Sequence, residues 1–173
     1  MEAKGRWARE LLGTAVYSVA EGKRVGEVAG LRVDREGRRV ALLAVAGGTW
    51  SQPRYLPFSR IQKVGEDAVM IESEAALAPA LSGAERQALE EHLTGRRVLS
   101  QSGEHLGAVT DYRLELAGGR IEAYQFQPEA EGLLARLLAL GRPEPFEIPD
   151  RMVITLGGDA LVVPDDVASF VSE

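Results

Sequence analysis

The sequence predicts an all-β protein with minor helix, built as two tandem small antiparallel barrels. Three observations predict it. Residues 21–34 (EGKRVGEVAGLRVD) are restated at 102–115 (SGEHLGAVTDYRLE), an offset of 81 positions. The apolar runs in each copy are short and rich in β-branched residues, with Gly or charged residues between them. Apart from one insertion in the second copy, no helical pattern separates the runs within a copy, which favours a small barrel over a sheet with helical crossovers.

The elements follow in order. GTAVYSV, EVAGLRV, VALLAV and AVMI read as the strands of the first copy. Leu31 and Val33 alternate with Arg32 and Asp34, as Tyr112 and Leu114 alternate with Arg113 and Glu115. That is the pattern of a half-buried strand. Gly22 aligns with Gly103 and Gly26 with Gly107. Gly26 and Gly107 interrupt strand-like runs, which predicts a bulge or tight bend in each copy. EGR (36–38) and AGG (117–119) read as turns. RVALLAV (39–45) then matches RIEAYQF (120–126) at the same offset. Further on, LPFSRIQKVGEDAVMI (56–71) matches IPDRMVITLGGDALVV (148–163) at an offset of 92. Pro57 aligns with Pro149, Arg60 with Arg151, Gly65 with Gly157 and Asp67 with Asp159. The repeated Asp predicts a shared turn rather than a shared active site, because Asp stabilises turns through bonds to its own backbone.

The jump in offset places an insertion of 11 residues in the second copy, between 127 and 147. It reads QPEAEGLLARLLALGRPEP and predicts a helix over about 129–141. Pro128 opens it, Glu129 and Glu131 sit in its first turn, and Gly141 and Pro143 end it. Between the copies, Ser82 and Glu85 have capping-box spacing, which predicts a linker helix from Gly83 to His92. The expected domains are 1–79, a helical linker at 80–92, and 93–173 with the insertion. Asp165 is a candidate N-cap for a helical turn in PDDVASF, and Trp7 caps the first strand or lies on a short helix.

Composition bounds the function. The chain has 173 residues and no cysteine, which excludes disulfides, thiolate catalysis and cysteine-ligated zinc. A net charge of −6 disfavours general nucleic-acid binding, which rests on neutralising phosphates. No stretch approaches the roughly 20 apolar residues of a membrane span, and MEAKGRWARELLG lacks the apolar core of a signal peptide. The expected location is the cytoplasm. Arginine outnumbers lysine 17 to 3 and asparagine is absent, which fits a thermophile or a GC-rich genome.

No catalytic, metal or cofactor constellation emerges. His92, read on the linker helix, and His105, at a strand start, lack ligand spacing. Glu129/Glu131 and Asp165/Asp166 read as solvated faces and caps. Ser18, Ser59 and Ser100 have no evident base or orienting partner. The chain is read as a non-enzyme without cofactor.

The order of these motifs, found twice, resembles the PRC-barrel family. The matching features are LGTAVYSVAEGKRVGEVAGLRVD, VALLAV, YLPFSRIQKVG and GEDAVMI. The second copy has LTGRRVLSQSGEHLGAVTDYRLE, RIEAYQF and EIPDRMVITLGGDALVVP. The resemblance implies small β-barrels of about 80 residues that act as interaction modules, with no shared catalytic residues. Family settings include the cytoplasmic domain of the photosynthetic reaction-centre H subunit and the C-terminal domain of a ribosome-maturation factor. This chain departs from both. It shows no N-terminal membrane helix, and a second copy stands where the maturation factor has its other domain.

Two stretches are candidate partner-binding sites. On a helical wheel Leu133, Leu134, Leu137, Leu138 and Leu140 cover one arc of about 160°. Each is worth about 1.5–3 kcal/mol if fully buried, so they predict a buried or docked face. The readings are a plug of the helix's own barrel, a homodimer or partner face, and a membrane-surface contact. The last is weakened by a single Arg and the flanking Glu residues. The second stretch is GGTWSQPRY (47–55), where Trp50, Arg54 and Tyr55 are of the types that anchor interfaces. The bland reading there has Trp50 closing a barrel end or packing on Pro53. The expected function is an adaptor that docks a protein partner through one or both stretches. The alternatives are a ligand-, RNA- or ribosome-associated module, and a peripheral component of a membrane complex.

Overall fold

The structure, a computed structural model, describes residues 5–36, 38–129, 131–141 and 144–167. Strands occupy 47% of the described residues and helices 18%, which makes it an all-β protein of two curled sheets. The chain divides into two compact units, Met1–Glu91 with Leu114–Arg120, and His92–Arg113 with Ile121–Glu173.

The first unit runs β1 (Arg6–Trp7), α1 (Ala8–Leu11), β2 (Ala15–Ser18), β3 (Lys23–Asp34), β4 (Arg39–Ala46), β5 (Arg54–Pro57), β6 (Ile61–Val64) and β7 (Ala68–Ile71). α2 (Gly83–Ala88) and β8 (Leu89–Glu90) follow. The second unit repeats the plan. It has β9 (Arg97–Ser100), β10 (His105–Leu114), β11 (Ile121–Pro128), α3 (Glu131–Ala139), β12 (Phe146–Pro149), β13 (Thr155–Leu156) and β14 (Ala160–Val163).

The sheet orders correspond: β5-β4-β3-β2-β7-β6 and β12-β11-β10-β9-β14-β13. β2 with β7 and β9 with β14 run parallel, whereas β2–β3, β3–β4, β4–β5, β6–β7, β9–β10, β11–β12 and β13–β14 are antiparallel. The inward residues form each core. Val16, Val28, Leu43, Leu56, Val69 and Ile71 are at most 1% exposed in the first unit. Val98, Val109, Tyr124, Ile148, Leu161 and Val163 are equally buried in the second.

The repeated glycine has a common cause. In the β2–β3 ladder Val16 pairs with Gly26 and Tyr17 with Arg24, so Val25 is an extra residue. In the β9–β10 ladder Val98 pairs with Gly107 and Leu99 with His105, so Leu106 is the extra residue. Both are bulges that bend the long strand. At the bend the neighbouring strand comes too close for a side chain. A Cβ on Gly26 would lie 2.4 Å from the Ala46 carbonyl oxygen, and one on Gly107 would lie 2.0 Å from that of Gln127.

The paired Asp residues sit in the expected shared turn. Gly65 N–H donates to Ala68 O at 2.8 Å and Gly157 N–H to Ala160 O at 2.9 Å, so Asp67 and Asp159 occupy equivalent tight turns. Each turn is held by an arginine. Arg6 donates to Glu66 O (3.1 Å) and Arg96 to Gly157 O.

Three elements depart from expectation. The linker helix has its capping box, with Ser82 N–H donating to Glu85 Oε2 at 2.7 Å and Glu85 N–H to Ser82 Oγ at 3.2 Å. It ends at Ala88 rather than His92, because Leu89 and Glu90 pair with Asp34 and Val33 at the edge of β3. His92 therefore lies beyond the helix. Trp7 precedes α1, and its N–H donates to the Glu10 carboxylate at 2.8 Å. The Asp165 carboxylate accepts the Ser102 N–H at 3.0 Å, a tie to the β9–β10 turn. Gly37, Pro143 and residues 168–170 of PDDVASF lie outside the described residues.

Candidate protein-interaction site

Both candidate stretches occupy the same connection of the repeated fold. Residues 47–53 join β4 to β5, and residues 129–145 join β11 to β12. The 11-residue insertion is therefore a loop in the first unit replaced by a helix in the second.

In the first unit the connection starts in tight backbone contact. A Cβ on Gly47 would lie 2.5 Å from Gly26 Cα, so that position requires glycine, and the φ of +59° at Gly48 favours it. Trp50 N–H donates to Gly47 O at 3.3 Å, closing a turn. The Trp50 ring is half-buried, and the Arg54 guanidinium carbon lies 4.2 Å from its centroid, within cation–π range. Arg54 also faces Glu74 at 3.9 Å, and Glu74 pairs with Lys23 at 3.1 Å. Tyr55 exchanges two 2.8 Å backbone bonds with Ala78, and the Arg32 guanidinium lies 6.0 Å from its ring centroid. The loop is thus held by a chain of charges from Lys23 to Arg54, and Trp50 rests on the end of it.

In the second unit Phe126 and Phe146 are buried with ring centroids 6.3 Å apart, and α3 packs on β11. Leu133 and Leu137 are 5% and 0% exposed. Leu134 is half-buried. Leu138 and Leu140 are 55% and 56% exposed. The expected leucine face therefore splits: one i, i+4 pair is core, and the last two leucines face water. Glu131 lies in the first turn of α3, and Glu129 stands before it, 3.6 Å from His105 Nδ1.

The arginines that the repeat aligns, Arg32 and Arg113, carry contacts that the sequence alone does not assign. Arg32 and Arg113 hold the same place in β3 and β10, and each reaches the matching position of the edge strand. Arg32 faces the Tyr55 ring, whereas Arg113 binds Glu147 at 2.9 Å and Glu122 at 3.5 Å. The offset of 92 already aligns Tyr55 with Glu147, so the signal was present. An exposed apolar pair also escapes the sequence: Tyr17 on β2 and Val19 just past its end are 39% and 55% exposed. The acidic groups have structural uses. Hydrogen bonds from Ser82 hold Glu85, and those from Ser102 hold Asp165, below the usual carboxylate range. Among the described residues no three His, Asp or Glu side chains gather as a metal site.

The PRC-barrel domain model matches residues 7–77 and 91–168. The chain belongs to the PRC-barrel family. The two matches coincide with the two copies of the repeat, so this is a tandem PRC-barrel protein. No curated protein sequence matches the chain. PRC-barrel domains are known protein-interaction modules, and the family is generally non-catalytic. Among the described residues no helix is long and apolar enough to cross a membrane.

Proposed function

We propose that this tandem PRC-barrel protein is a non-enzymatic adaptor that docks a protein partner, with the outward leucines of α3 as a principal contact. The observation that carries the reading is the division of the leucine face. Leu133 and Leu137 fix the helix to its own unit, while Leu138, on a helix the first copy lacks, and Leu140, one residue past its end, stay more than half exposed. Exposed large apolar side chains on an added element favour a binding role over a core role. The Trp50–Arg54 stack supplies a second anchor of the residue types enriched at interfaces.

The test uses substitutions that leave the core alone. Wild type and a Leu138→Asp/Leu140→Asp variant are immobilised and exposed to lysate of the source organism, and bound proteins are quantified by mass spectrometry. A stoichiometric partner retained by wild type and lost by the variant supports the reading. A partner retained equally by both removes the leucines from the site. Light scattering on the same pair tests the homodimer: a mass that halves in the variant makes the partner a second copy.

A further inference from the structure

Strand register sets four side chains of the first unit in one row across its sheet. Arg24 of β3 pairs with Tyr17 of β2, Tyr17 with Met70 of β7, and Met70 with Lys63 of β6. Directly opposed residues share a face. Val16, Ser18, Val69 and Ile71 are at most 1% exposed and point inward, so Tyr17 and Met70 between them point out. Tyr17 is 39% exposed, Met70 is half-buried, and Arg24 and Lys63 are exposed. The row therefore runs cation, aromatic ring, thioether, cation. With about 4.8 Å between strands, its ends lie about 14 Å apart.

The carboxylates of this face stand off the row. Glu27 lies opposite Ala15, and Glu72 follows Ile71 at the level of Val19. Arg24 meets Glu27 at 3.2 Å with both side chains 52% exposed, a weak pair that a partner carboxylate can share. Lys63 meets no carboxylate among the described residues. The second copy keeps the apolar centre and not the cationic ends. Its row is His105, Leu99, Val162 and Thr155, and His105 already faces Glu129 at 3.6 Å.

We propose that this row of the first unit binds a partner-protein segment that carries an apolar side chain between two carboxylates. The apolar group rests on Tyr17 and Met70, and the carboxylates meet Arg24 and Lys63. Cations at both ends of an apolar centre select this class over a basic or uncharged segment. The proposal rests on the adaptor reading, adds a face that does not involve α3, and names the chemistry of the partner segment.

A displayed library of random peptides is panned against the full chain. Enriched peptides should carry Asp or Glu on both sides of an aromatic or aliphatic residue. The most enriched peptide, fluorescein-labelled, is then titrated by anisotropy. Lys63→Glu and Tyr17→Ser should each weaken it at least about tenfold, the scale of losing an interface anchor. Leu138→Asp/Leu140→Asp should leave it unchanged. A peptide with one acid exchanged for Lys should regain affinity for Lys63→Glu and lose it for wild type, an outcome that misfolding cannot produce. No enrichment, a consensus without acids, binding indifferent to Lys63→Glu, or no regain with the exchanged peptide overturns the proposal. Any of these leaves a partner held by Leu138 and Leu140 unaffected, so the two readings fail separately.

Discussion

The two PRC copies share a skeleton and differ in what they hang on it. Both carry the bulge, the glycine beside it, the tight Gly–x–Asp turn and the arginine on the long strand. They differ where that arginine points and in the connection that follows the third strand of the shared plan. The first copy sets Arg32 against the Tyr55 ring, Arg54 against Trp50, and leaves a short loop. The second sets Arg113 between Glu122 and Glu147, places Phe146 where Arg54 stands, and inserts α3. Backbone geometry, which closes the barrel, is repeated. Surface chemistry is not.

The largest effects come from breaking what each copy buries. Leu137 is fully buried, so Leu137→Ala should cost the second unit about 2–5 kcal/mol. Leu138→Ala, on the same helix but 55% exposed, should stay within about 0.5 kcal/mol. Urea unfolding of both variants checks the contrast, and equal costs would sink the division of the face. The next pair tests the shared bend. Gly107→Ala puts a Cβ 2.0 Å from the Gln127 carbonyl, at φ +157°, and Gly26→Ala puts one 2.4 Å from that of Ala46. Both overpack backbone, at about 1–3 kcal/mol each, with Gly107 the costlier. Calorimetry of the two variants ranks them; a neutral Gly26→Ala would mean that β4 shifts freely.

How much of this was legible beforehand depends on the range of each interaction. The bulges could be read because a glycine at the same place in two copies signals one backbone need. The Asp67 and Asp159 turns and the Ser82–Glu85 cap are local, and spacing is enough to find them. The end of α2 was not legible, because Ala, Leu and Glu favour a helix locally and pairing with β3 overrides that preference at Leu89 and Glu90. The leucine face was visible as a face. Which leucines reach the core depends on the tilt of α3 on β11, and a helical wheel carries no tilt.

A smaller contrast concerns the repeated arginine. Arg113 bridges two carboxylates at about 30% exposure, whereas Arg32 pairs with Glu91 and faces Tyr55 at 6.0 Å. Arg113→Ala should cost about 1 kcal/mol, as for a partly screened network, and Arg32→Ala about half that. Raising salt to 1 M should shrink the Arg113 loss more, since a cation–ring contact with one exposed carboxylate depends less on ion pairing. Equal salt dependence would mean that Arg32 acts mainly through Glu91.

The smallest effect lies in how each copy ties its first turn to the chain after its last strand. In the first copy the carboxylate is on the turn: Glu21 Oε2 accepts the Glu74 N–H at 3.3 Å. In the second the roles are exchanged, and Asp165 accepts the Ser102 N–H at 3.0 Å. That bond, with the Ser102 hydroxyl, holds Asp165 below its usual 3.8. A depressed carboxylate contributes stability that is present above its unfolded value and lost as pH falls through the folded one. Asp165→Asn should therefore lower the unfolding midpoint slightly at pH 6. The gap should close as pH drops below about 3.8, where wild type loses the same charge. Because Asp165 is fully exposed, water competes for the bond and the shift stays small. A gap that is unchanged from pH 6 to pH 2.5 would show that the aspartate's charge plays no part in the tie.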